Sequence, residues 1–342
     1  MEKNKVVGII VALAIVVGLV IGGIILLGPQ KKVLKVFHAG SLTVPFESVE
    51  DKFEADNPNI DVQLEAAGSV QCVTKITEVG EVADVLASAD WKLIPSMPSE
   101  YQDYYIKFAV NRMVLAYTNQ SKYKDTITAS NFYDILSNSD LKWGFSDPNL
   151  DPCGYRSLMV LQLAELKYGD SNILEDLVLE HSDITVNTDG TNYNITTPDP
   201  LGIDTDSNLV IREKSVDLVT LLKEGGLDYA FEYQSVAEQH DLEFVQLDTA
   251  IDLSDANLDL TYARVKVIKT SGVSTGKSIT YGITVPKNAN NPSLGAQFIE
   301  YVINEEGKEI FTNLGQPPLD PCITNDVTLL PSNLQPYCVS ES

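Results

Sequence analysis

From residue 33 onward the chain alternates short apolar runs with runs of helical period, and the joins between them are a glycine followed by a serine. "VLKVFHAG" (33–40) reads as a strand ending at Gly40. After Ser41 the apolar Leu42, Phe46, Val49 and Phe53 recur at helical spacing until Asn57-Pro58 stops the run. "IDVQLEAAG" (60–68) repeats the pattern, followed by Ser69 and a helix carrying Val70, Val73 and Ile76, and "ADVLASAD" (83–90) gives a third strand. A repeated strand, turn and helix demands a parallel or mixed sheet with helices on both faces.

Further along, "YYIKFAVNRMVLAYT" (104–118) reads as one long buried strand and the passage into a second lobe. That lobe is expected to hold the strand "KWGFSD" (142–147), a helix over 152–168, a helix over 215–224 closed by Gly225-Gly226, and the strand "DYAFEY" (228–233). Residues 181–209, rich in Asn, Asp, Thr and Pro, read as a surface excursion with one or two short strands. "SITYGITVPK" (278–287) returns to the first lobe, and one helix over 292–307 closes it. The expected division is 1–32 for an anchor and linker, 33–117 and 281–342 for the first lobe, and 118–280 for the second.

The amino terminus carries a different signal. Residues 6–28 contain no charge, and at ~1.5 Å per residue such a helix spans the ~30 Å hydrocarbon layer. No A-x-A-like exit and no following cysteine marks it for cleavage or lipidation, so an uncleaved anchor is expected. Lysines on both sides leave its orientation weakly specified. With 24 Lys+Arg against 48 Asp+Glu, the chain has a formal charge of −24. This excludes nucleic acid as a partner, since such binding neutralises phosphates with basic side chains. It also means that any anion site works through local dipoles and not long-range steering. Of Cys72, Cys153, Cys322 and Cys338, the last two lie in a Pro- and Asn-rich tail that a bridge between them would pin.

Ser41 and Ser69 occupy equivalent places, each placed to cap its helix while its hydroxyl and neighbouring N–H groups face the carboxyl ends of the strands. That edge is where α/β sheets hold ligands. In "SDPNLDPCGYRS" (146–157), Asp151 followed by Pro152 forms an N-cap and first-turn pair that needs no ligand. Glu232 has no such simple account, because a carboxylate at the end of the buried run "YAF" needs partners or it neutralises. Tyr233 beside it supplies a phenol, and "QSVA" starts a further helix.

Together "FHAGSL", "EAAGSV", "FSDPNLDPCGYRSLMV", "DYAFEYQSVAEQH" and "STGKSITYGITV" resemble the archaeal-type molybdate/tungstate-binding proteins, over about residues 33–320. These are substrate-binding components of ABC importers with a two-lobed, type II periplasmic-binding fold and a ligand cleft between the lobes. The resemblance implies an oxyanion held by serine hydroxyls and backbone N–H groups, with two carboxylates bonded directly to its metal centre. Carried onto this chain, Ser41 and Ser69 match the serines, and Asp151 and Glu232 match the carboxylates. Cys153 and Ser215 match positions that give N–H groups, and Tyr233 matches the cleft tyrosine. Ser215, in "REKSVDL", stands where threonine is more usual, and Asp147 competes with Asp151 for its role. The resemblance further implies a monomer without a cofactor of its own, outside the cytoplasm, that delivers tungstate or molybdate to a membrane permease.

A carboxylate beside an oxyanion repels it unless its oxygen reaches the central atom. Hexavalent tungsten or molybdenum accepts extra oxygen ligands, whereas sulfur in sulfate and phosphorus in phosphate do not readily do so. Two other readings remain open: the same fold with sulfate or phosphate as ligand, and a hydrolase that uses Asp151 and Glu232 as acid and base. The second has little support, since His38, His181 and His240 show no zinc or nucleophile–base spacing.

Overall fold

The computed structural model describes residues 31–341. The anchor expected over 6–28 lies outside them; among the described residues no helix is long and apolar enough to cross a membrane.

Among the described residues sixteen strands follow one another along the chain. Those before the middle of the chain are β1 (Lys32–Ala39), β2 (Ile60–Ala67), β3 (Val85–Ser88), β4 (Ile106–Val110), β5 (Met113–Tyr117), β6 (Trp143–Ser146), β7 (Thr185–Thr188) and β8 (Tyr193–Thr196). Those after it are β9 (Leu209–Arg212), β10 (Tyr229–Tyr233), β11 (Glu243–Gln246), β12 (Val265–Lys269), β13 (Gly272–Thr275), β14 (Thr280–Thr284), β15 (Pro318–Thr324) and β16 (Cys338–Ser340). They form a seven-stranded sheet ordered β16-β15-β4-β14-β3-β1-β2, a five-stranded sheet ordered β11-β5-β10-β6-β9, and a four-stranded sheet ordered β13-β12-β8-β7.

In the first sheet β1 pairs in parallel with both β2 and β3. The connections run through helices α1 (Thr43–Asp56) and α2 (Ser69–Thr74). The helical-period residues Phe46, Val49 and Phe53 are the buried face of α1. Phe46 and Phe53 meet Phe298 edge to face, with ring centroids 5.8 and 5.5 Å apart. The long helix α3 (Pro152–Tyr168) is buried on all sides from Pro152 to Ala164, because it packs against β6 and β10 on one flank and β12 on another.

Several expectations change. The run 104–118 is two strands in two different sheets, broken at Asn111-Arg112. The break is built in by hydrogen bonding: Asn111 Nδ2 donates to Ser235 Oγ (2.7 Å) and Tyr281 Oη (3.3 Å), and the Arg112 carbonyl accepts from Gln234 N–H (3.0 Å). The chain therefore crosses from the first sheet to the second at that dipeptide. The closing helix is also two, Pro292–Ile303 and Glu305–Asn313, because Asn304 turns extended and its Oδ1 accepts from Gly307 N–H at 2.8 Å. The excursion over 181–209 does carry two strands, and β8 docks in parallel on β12 to give the third sheet. In the tail, β15 and β16 pair so that Cys322 faces Cys338 in register. All four cysteines are free thiols, so the expected bridge is not formed in this structure.

Candidate functional site

The ends of β1 and β2 in the first sheet lead to Ser41 and Ser69, those of β6 and β9 in the second lead to Asp151, Cys153 and Ser215, and Glu232 and Tyr233 close β10 itself. Asp151 is the centre of the arrangement. It is extended (φ −130°, ψ 131°) and caps α3, its Oδ1 accepting from Cys153 N–H at 3.2 Å. Its Oδ2 accepts from Ser215 N–H at 2.8 Å, at the first residue of helix α4 (Ser215–Lys223). Two helix starts thus aim free N–H groups at one carboxylate, the arrangement that favours an anion. Asp151 is buried; burial raises its pKa, and the N–H groups of Ser215 and Cys153 act against that rise. Asp147, the rival in the same loop, uses Oδ1 to accept from Asn149 N–H at 2.8 Å, a local turn.

Glu232 is fully buried in β10, where it pairs with Val114 of β5. Its Oε2 accepts from Tyr233 N–H (2.8 Å) and lies 3.8 Å from Cys153 Sγ. Its Oε1 is buried with no partner among the described residues. Burial pushes its pKa up to about 8, so below that pH the carboxyl stays protonated.

The structure brings Asp151, Cys153, Ser215, Glu232 and Tyr233 into one hydrogen-bonded group and brings the serines to its edge, but in a different role from that expected. Neither serine caps its helix: the N-cap positions are Leu42 and Gly68, without a side-chain hydrogen bond. Ser41 Oγ lies instead 3.0 Å from Tyr281 Oη, and Ser69 Oγ accepts from Ala89 N–H at 3.0 Å. Both hydroxyls hold elements of the first sheet together at the strand edge.

Other contacts join the two sheets. Val70 N–H donates to the Leu150 carbonyl at 3.2 Å. Gly68 makes that approach possible, since a Cβ there would stand 2.2 Å from the Leu150 oxygen. On α3, Tyr155 Oη donates to Asp90 Oδ2 at 2.7 Å, and Arg156 Nη1 donates to the Ala89 carbonyl (2.8 Å) and to Tyr233 Oη (2.7 Å). Sequence reasoning missed Tyr155, Arg156, Asp90, Asn111 and Tyr281 as members of this network. A charged residue in the middle of the apolar run after Cys153 was the available signal for Arg156.

The fold and the site can be set against known proteins. A solute-binding protein of Methanoculleus marisnigri is 54% identical over 293 residues, covering 84% of this chain and 82% of the relative. The molybdate/tungstate-binding protein WtpA of Pyrococcus abyssi is 43% identical over 317 residues, covering 90% of each. The periplasmic molybdate-binding protein of Azotobacter vinelandii superposes with a TM-score of 0.54 at 14% identity, over 83% of this chain and 98% of that one, a likeness of fold. The architecture is that of periplasmic binding proteins, and with residues 34–315 matching the family as a whole, the chain belongs to the bacterial extracellular solute-binding proteins.

Proposed function

We propose that this chain captures tungstate or molybdate between two lobes outside the cytoplasm and delivers it to the permease of an ABC importer, with Asp151 and Glu232 bonding to the metal centre. Support comes from the site and from the relative named for these oxyanions, 43% identical over 90% of the chain. The observation that carries the reading is the buried, unpartnered Oε1 of Glu232, close to a second carboxylate that two helix starts hold. An unpaired carboxylate oxygen in the interior is costly unless something accepts it. Among the described residues no group of three or more His, Cys, Asp and Glu side chains could hold a metal ion. A metal centre gripped by this pair must therefore bring most of its own oxygen ligands, as an oxyanion does.

The lobes follow from the sheets: the first sheet with its helices, and the second and third sheets joined by α3. The crossing at Asn111-Arg112 is the natural hinge. Ser41, Ser69 and Tyr233 supply hydroxyls, and Cys153 and Ser215 supply N–H groups that share their hydrogen bonds between Asp151 and the cargo. The charge-free run 6–28 anchors the chain to the membrane, and it works there as a monomer. X-ray absorption of the tungstate-loaded protein tests the coordination, since it counts oxygen neighbours: six are expected, and four would refute direct bonding. Calorimetry with tungstate against sulfate tests the ligand, with sulfate expected to bind at least a hundredfold more weakly.

A further inference from the structure

Arg156 is buried, 4% exposed, at the centre of the contacts between the sheets. Among the described residues the one arginine in an ion pair is Arg112, with Asp252. The guanidinium of Arg156 thus has no carboxylate of its own. Its Nη1 bridges the Ala89 carbonyl, at the end of β3, and Tyr233 Oη, at the end of β10.

A guanidinium only donates, and it stays charged. The direction of its bond to Tyr233 is therefore fixed: the phenol oxygen accepts. Tyr233 Oη is buried and makes no other hydrogen bond among the described residues, so the phenolic hydrogen must point to a different acceptor. The ring that carries this donor packs against Tyr281, with centroids 6.0 Å apart, and Tyr281 Oη lies 3.0 Å from Ser41 Oγ, so the phenol belongs to the same strand edge as the candidate serine.

We propose that Arg156 is a positioning residue that holds the Tyr233 phenol as an obligatory donor, so that the site takes fully deprotonated oxyanions and turns away hydrogen-bearing ones of similar shape. The inference rests on the oxyanion reading above and adds to it a cause for selectivity that does not involve the metal centre. A tungstate or molybdate dianion offers acceptors only and suits a donor of fixed polarity. Hydrogen phosphate has one acceptor fewer, and wherever its O–H faces the phenolic O–H one hydrogen is left without an acceptor, so the phenol narrows the orientations in which it fits. The cation also strengthens the phenol as a donor and sets one positive charge against the dianion. The Ala89 carbonyl follows a strand of the first sheet, so one of the two Arg156 contacts joins the sheets while the other lies among elements of the second.

Calorimetric titration of the full-length protein with sodium tungstate, for the wild type, Arg156→Met, Tyr233→Phe and the double variant, tests the coupling. Each single substitution is expected to weaken binding at least tenfold, and the double variant to bind within about threefold of the weaker single. Losses that multiply independently overturn the proposal, as does an Arg156→Met protein that binds like the wild type. Arg156→Lys keeps a charge that only donates, whereas Arg156→Gln can also accept from the phenol. Competition by hydrogen phosphate near pH 7 is expected to rise with Gln and not with Lys, a difference that loss of packing alone would not produce; the reverse order overturns the proposal, even if the Met variant fails to fold. A wild type that binds no tungstate refutes the functional reading together with the inference, while a wild type that binds but whose variants do not show the coupling refutes the inference alone.

Discussion

Glu232→Gln is expected to stabilise the ligand-free protein in alkaline solution while it weakens the grip on tungstate. An unfolded glutamate ionises at about its ordinary value of 4.5, and burial pushes Glu232 up to about 8. Below 4.5 neither state carries the charge, and burial of the carboxyl costs nothing on this account. Between 4.5 and about 8 the unfolded chain releases its proton while the folded one keeps it, so stability falls as the pH rises. Above 8 the full cost is present: the gap from 4.5 to about 8, at ~1.4 kcal/mol per pH unit, is about 5 kcal/mol. Glutamine has the same shape and no charge to bury, so the two proteins should unfold alike near pH 4.5 and diverge towards pH 9. For domains of ordinary size, about 5 kcal/mol moves a melting midpoint on the order of 10 °C. Asp151 titrates in both proteins, and comparing them largely cancels its contribution. Thermal melts of both at pH 4.5, 7 and 9, each with and without excess tungstate, give the whole pattern. Tungstate should raise the wild-type midpoint strongly and that of the variant less, with affinity reduced at least tenfold, about 1.4 kcal/mol. A difference between the two midpoints that does not change with pH, or a variant that binds tungstate as tightly as the wild type, refutes the reasoning.

Gly68→Ala places a Cβ 2.2 Å from the Leu150 oxygen, which the lobes must relieve by opening; affinity for tungstate should fall at least tenfold, and small-angle scattering of the loaded protein should show a larger radius than that of the wild type. Ser69→Ala removes the acceptor of Ala89 N–H and leaves a buried donor unpaired, so denaturant melts should show a loss of about 1–3 kcal/mol. Ser41→Ala leaves Tyr281 its contact with Asn111 and should cost on the order of 1 kcal/mol or less by the same measurement. Incubation with glutathione disulfide should link Cys322 to Cys338, which face each other across β15 and β16; mass spectrometry would show the loss of two hydrogens, and the closed loop should add about 3 kcal/mol of stability.

The alternating apolar and helical runs made the start of the first sheet legible, because β1 and β2 are each followed by a helix whose period shows which face it buries. The crossing at Asn111-Arg112 was not legible. Both flanks are apolar and of β character, and what divides them is a set of side-chain bonds to Ser235 and Tyr281, 124 and 170 residues away. Likewise Asn304 interrupts a run of good helical period through a local cap that competes with continuation of the helix. The candidate carboxylates were legible as chemistry, since Asp-Pro marks a helix start and an acid after "YAF" marks a buried charge. The caps expected of the two serines do not form, because a Gly-Ser join specifies a turn but not which of several nearby N–H groups the hydroxyl meets. Arg156 was overlooked because its meaning depends on Ala89 and Tyr233, each distant in the chain.

A chain of net charge −24 that takes up a dianion needs its local charges to differ from its overall one. At physiological salt the field of the outer carboxylates is largely screened beyond ~8 Å, so the buried groups decide. Asp151 meets two helix starts, each worth roughly half a positive charge, and so presents little net repulsion to a neighbouring anion. Arg156 offsets one charge of the cargo. Glu232 has less compensation: its Oε2 accepts from Tyr233 N–H, but its Oε1 has no partner among the described residues, and in the empty protein it avoids the cost by keeping its proton. When a cargo enters, that proton must be lost or the carboxyl must serve as a donor, and only a centre able to accept an extra oxygen offsets the charge that loss exposes. Tungsten and molybdenum can do so and sulfur cannot, so on the coordination proposed above the residue that makes the empty site costly is also the one that separates these oxyanions from sulfate.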